Sequence, residues 1–136
     1  MSRSGYNDSC DGWEFIMWRG AVASAIRGKR GQQFLRDLVA ALDALPTKRL
    51  IAEELESPDG GVCAIGSVGK QRGLSMQGID PEDREMVATA FGIAPALAAE
   101  IMYENDNDFA YNKETPEQRW ERVRQWAVMN TLKVSP

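Results

Sequence analysis

The sequence predicts an α+β fold, mostly helical, with about five helices and one β-hairpin. Three observations carry that prediction. Apolar residues recur at intervals of three, four and seven, most clearly in Phe34, Leu35, Leu38, Ala41, Leu42 and Leu45. Helix-start and helix-stop residues punctuate the apolar stretches. Ser57-Pro58-Asp59-Gly60-Gly61 stands between two further apolar runs as turn chemistry: Pro sets one φ and Gly supplies a positive one. The 136 residues are 43% hydrophobic and 26% charged, enough for one domain with a core. Residues 1–10, small and polar, read as a flexible N-terminus, and 11–136 as a single domain.

Each element has a local reason. Asp11 can cap a first helix from Gly12 to Arg27, with Trp13, Ile16, Met17 and Ala21 on one face. Gly28 ends it, and Gly28-Lys29-Arg30-Gly31 reads as a basic turn. A second helix runs from Gln32 to Leu45, and Pro46 stops it. Arg49–Glu56 reads as a strand, turned into a second strand at Val62–Val68. That second arm lacks strict alternation, so a short helix is the other reading of it. Asp80-Pro81-Glu82-Asp83 opens a third helix, which runs to Phe91 and closes at Gly92. Pro95 starts a fourth, which ends near Glu104, and the stretch from Asn105 to Asn112 is a loop. Thr115 with Gln118 three residues later is a capping box for a last helix to Asn130, with Trp120, Val123 and Ala127 inward. Trp18 and Trp126 are less clearly internal and are candidate interface anchors. No internal repeat is visible.

Composition excludes several activities. There is no histidine, so Ser-His-Asp and Cys-His catalysis are absent, as are the commonest general base and the commonest transition-metal ligand. Two cysteines, Cys10 and Cys63, are too few for a disulfide framework or a metal cluster. No catalytic residue, metal or cofactor is expected, and the chain is read as a non-enzyme. The N-terminus has no apolar core of a secretory signal, and no apolar run nears the length needed to span a bilayer, so a cytoplasmic protein is expected.

Motif-like stretches fail on chemistry. Gly60-Gly61-Val62-Cys63-Ala64-Ile65-Gly66-Ser67-Val68-Gly69-Lys70-Gln71 resembles a phosphate loop. However, Ala64 stands five residues before Gly69 where a glycine is needed, and Gln71 replaces the hydroxyl that would hold magnesium. Its Lys70 and Arg72 are expected to brace neighbouring carboxylates. A calcium loop starting at Asp106 puts Ala110 at a ligand position and Tyr111 where glycine is required. Residues 86–101 have helix-turn-helix spacing around Ala88 and Gly92. The second helix has no Lys, Arg, Asn or Gln up to Glu104 and carries Glu100, so it offers no base-edge donor.

Charge distribution is more informative than the net −4. Residues 1–50 carry +3, residues 51–110 carry −9, and residues 111–136 carry +2. Within the acidic middle, Glu82, Asp83, Glu85, Glu100, Glu104, Asp106 and Asp108 are candidates for a surface that binds a basic partner by electrostatic steering. Within the basic part, Arg19, Arg27, Lys29, Arg30 and Arg36 are candidates for phosphate contact.

Several stretches also resemble a family of small proteins of proteobacterial phages and prophages. They include AIRGKRGQQFLRDLVAALDALP, GVCAIGSVGKQRG, DPEDREMVATAFGIA and ETPEQRWERVRQW, and the resemblance covers nearly the whole chain. It implies a phage-encoded protein acting in the bacterial host cell. It supplies no activity and no site residue. By analogy of setting, the leading expectation is a non-catalytic inhibitor of a host nucleic-acid-handling complex, anti-CRISPR-like, acting through the acidic residues. The alternative is a nucleic-acid-binding accessory or regulatory protein using the basic ones.

Overall fold

The computed structural model of the chain describes Arg3, residues 12–106 and residues 114–132. Six helices make up the regular structure among the described residues: α1 (Gly12–Arg27), α2 (Lys29–Ala44), α3 (Ala64–Arg72), α4 (Arg84–Phe91), α5 (Pro95–Asp106) and α6 (Pro116–Asn130). The chain has no strand among the described residues. The expected α+β class is therefore corrected to all-α, and the β-hairpin to a loop and a helix.

The turn at Ser57–Gly61 forms as its residues dictate. The Gly60 N–H donates to the Ser57 carbonyl at 2.9 Å, the Ser57 N–H donates to the Gly61 carbonyl at 2.8 Å, and Gly60 takes φ +90°. Pairing stops almost at once, leaving the single antiparallel bridge Glu56–Val62. Beyond it the chain coils into α3. The Cys63 Sγ accepts from the Gly66 N–H at 3.4 Å, and Gly73 in the left-handed region closes the other end. Two internal glycines cost such a helix roughly 1 kcal/mol each against alanine. Packing explains them. A Cβ on Gly66 would lie 1.9 Å from the Leu55 carbonyl oxygen, and one on Gly69 would lie 2.5 Å from the Met76 sulfur. Ala64 through Gly69 are all buried, so burial of a small-residue helix outweighs its weak propensity.

The helix boundaries shift for similar reasons. Only Gly28 separates α1 from α2, so the basic turn is largely the first turn of α2. Gly31 permits the join, since a Cβ there would sit 1.9 Å from the Ala25 carbonyl oxygen. The buried Gln32 side chain secures it. Its Nε2 donates to the carbonyls of Ile26 (2.7 Å) and Asn130 (3.1 Å), and its Oε1 accepts from the Leu132 N–H (2.8 Å). The third expected helix begins later than Asp80: Asp80-Pro81-Glu82 makes a turn, and Asp83 is the N-cap of α4, accepting from the Met86 N–H. The capping box of Thr115 and Gln118 forms as expected. Asp11, the expected cap of α1, lies outside the described residues, as does the Trp13 side chain.

Helix α5 is the hub, packed against α1, α3, α4 and α6. Its Leu97, Ala98, Ile101 and Met102 meet Leu35, Leu38 and Leu42 of α2, Ile65 and Val68 of α3, and Val123 and Ala127 of α6 in one core. Trp120 and Trp126 pack against this core, and the Trp120 indole N–H donates to the Leu42 carbonyl at 3.0 Å. No single helix among the described residues is long and apolar enough to cross a membrane.

Candidate functional site

Four of the five candidate basic residues converge. Arg27 at the end of α1 and Lys29, Arg30 and Arg36 on α2 line one groove of about 860 Å³. The opposite wall comes from Arg72 at the end of α3 and from Phe91, Gly92 and Ile93 at the α4–α5 turn. The short join between α1 and α2 brings Arg27 beside Arg30. The α-helical repeat then puts Lys29 and Arg36, seven residues apart, on one face of α2, about 10.5 Å apart along its axis at 1.5 Å per residue. Among the described residues, Asp37 is the one carboxylate lining the groove, against five cations.

The floor is aromatic. Phe34 and Phe91 are buried and meet edge to face, with ring centroids 6.3 Å apart. The Arg72 guanidinium lies over both rings, 5.6 Å from the Phe34 centroid and 5.9 Å from that of Phe91. It is held there by donating to the Phe91 carbonyl at 3.1 Å and by a longer pairing with Asp37 at 3.5 Å. Arg72 thus does brace a carboxylate, but one distant in sequence and on another helix. Asp37 also accepts from Gln33, and Gln33 accepts from Arg36 at 3.2 Å, so the polar edge is linked from α2 to α3. Arg27, Lys29, Arg30 and Arg36 are exposed and make no ion pair among the described residues.

Arg19, the fifth basic candidate, is elsewhere. It pairs with Glu100 at 2.7 Å on the α5 side of α1.

The acidic candidates are dispersed. Glu82, Asp83 and Glu85 are exposed at the start of α4. Glu100 is 3% exposed and bound to Arg19. Glu104 is half-buried beside Arg122, and burial, reinforced by the nearby Glu100, pushes its pKa up. The Asp106 side chain is 8% exposed and holds Arg3 in a two-point ion pair at 2.7 and 2.8 Å. It also accepts from the Glu53 N–H and from Asn105, while Arg3 lies 3.7 Å from the buried Cys63 sulfur. Asp108 lies outside the described residues, as does most of the calcium-loop stretch. Three of the seven therefore take part in packing the fold.

The helix-turn-helix spacing corresponds to a real pair, α4 and α5, bent by 107°. The second helix buries Leu97 through Met102, so it cannot present a face to a DNA groove. Among the described residues, no three His, Cys, Asp or Glu side chains gather as a metal site.

Comparison with protein families, curated proteins and solved structures returns no match for this chain.

Sequence reasoning missed Arg72, Phe34 and Phe91 as partners of the basic cluster. Phe34 reads as a core residue, which it also is. No spacing rule links Arg72 to a turn some forty residues earlier.

Proposed function

We propose that this chain is a non-catalytic nucleic-acid-binding accessory protein that holds phosphates in the groove between the start of α2 and the end of α3. One observation carries the reading: Arg27, Arg30 and Arg36, which make no ion pair among the described residues, line the same groove. Arginines that are not committed to carboxylates keep their donors for an anion, and their planar forks match phosphate as well as carboxylate. Local positive charge overrides the net −4, because charges beyond about 8 Å are largely screened at physiological salt.

The test is a fluorescence-anisotropy titration of a labelled oligonucleotide at several salt concentrations. Binding is expected at low salt and falls steeply as salt rises, since each phosphate contact releases counterions. Arg27→Ala with Arg30→Ala is expected to weaken binding at least about ten-fold and to lower the salt slope by about one for each arginine removed. A flat titration at low salt rejects the reading.

A second reading retains the phage setting implied by the resemblance. Glu82, Asp83 and Glu85 remain exposed at one end of α4, where a basic host protein could engage them. A pull-down that retains its partner after all three become Gln or Asn removes that reading.

A further inference from the structure

The geometry points to single-stranded nucleic acid as the ligand of the groove, with one base stacked on the outer face of the Arg72 guanidinium. This inference rests on the phosphate-binding reading above and adds what lies beside the phosphates.

A site for phosphate alone needs cations and donors and has no use for an apolar floor. Here the cationic edge runs beside a buried aromatic pair, Phe34 and Phe91. The rings are too buried to receive a base themselves. Arg72 is the layer above them, its guanidinium held over both rings and its side chain 38% exposed. The rings stand at 88° to each other, so the guanidinium packs against the pair without lying flat on both, and its exposed part is available to stack on a nucleobase, as arginines do with unpaired bases. Its pairing with Asp37 is long at 3.5 Å, so its orientation rests chiefly on the Phe91 carbonyl and the rings.

Base access separates one strand from two. A duplex keeps its bases paired inside, so it would touch the cationic edge and leave Arg72 without a stacking partner. The sequence tolerance of stacking predicts little base preference.

The experiment uses the full chain and four probes of similar charge: a single-stranded oligonucleotide, a duplex of half its length, an abasic strand of its full length, and inorganic polyphosphate. The single strand is expected to bind about ten-fold tighter than each of the others, the worth of about one stacked base. Arg72→Lys keeps the charge and removes the plane. It is expected to lose the margin of the single strand over the abasic strand. The abasic probe tests the same point on the unaltered protein, so a misfolded variant does not blunt the result. Equal binding of all four probes overturns the inference and leaves the phosphate-binding reading standing. A preference for duplex overturns it in the same way. Binding of none overturns both.

Discussion

The arginines of this protein have two different environments. Around the ends of α5 and α6 they are bound into the structure. Arg122 forks onto Glu114 at 2.7 and 2.9 Å and donates to the carbonyls of Glu104 and Asn105. Arg119 reaches Glu114 and the Leu50 carbonyl, and Arg3 is closed over by Asp106 and Cys63. At the α1–α2 join, Arg27, Arg30 and Arg36 have no carboxylate partner among the described residues. The difference separates two uses of one residue type. A guanidinium bound by backbone carbonyls and a carboxylate holds loops to helices. One left in solvent beside others of its kind costs folding a little repulsion and is suited to an external anion.

Mutations on the two sides of this contrast should behave differently. The largest effect is expected at Asp106. Asp106→Ala leaves Arg3 buried without its counter-charge and should cost about 3–5 kcal/mol by urea denaturation. A loss well under that would mean that Arg3 swings out to water. Arg122→Ala should cost about 1–3 kcal/mol, since it strips charge-assisted bonds from Glu114 and two carbonyls.

The two carboxylates beside Arg122 should then titrate with opposite sign. The Arg122 hydrogen bond, with the charges of Arg122 and Arg119, holds the Glu114 pKa below its ordinary value against burial. Glu114 therefore contributes stability above the ordinary glutamate pKa of about 4.3, and that stability is lost as pH falls through its lower folded value. Burial raises the pKa of Glu104, so its contribution worsens as pH rises from about 4.3 through the raised value. Stability-versus-pH curves for Glu114→Gln and Glu104→Gln should deviate from the parent in opposite directions. Curves that deviate alike would show that Arg122 does not divide the two.

A smaller effect is expected at the exposed pair Arg124–Asp43, where Asp43→Ala should cost less than about 1 kcal/mol. The smallest is expected in the groove. Arg27→Ala with Arg30→Ala should change stability by no more than about 0.5 kcal/mol while reducing nucleic-acid binding. A large loss of stability there would erase the contrast.

Local chemistry accounts for much of this molecule. The amphipathic stripe from Phe34 to Leu45, the Thr115–Gln118 capping box, the Gly28 and Gly92 breaks and the Ser57–Gly61 turn are all legible, because each acts within one or two turns of chain. The basic cluster at residues 27–36 is legible for the same reason: four of its members sit within ten residues on adjoining helices. Long-range packing settled what local chemistry left open. Residues 64–72 have weak propensity for either helix or strand, and close approach of Leu55 and Met76 to Gly66 and Gly69 selected the helix. Glu100 and Asp106 look like surface charges until Arg19 and Arg3 reach them from the other end of the chain. The groove itself needed α3 folded against α2, for only that packing lays Arg72 over Phe34 and Phe91. Sequence sets charge, periodicity and caps at short range. Which charges are neutralised, and which face outward together, depends on how distant segments of the chain meet.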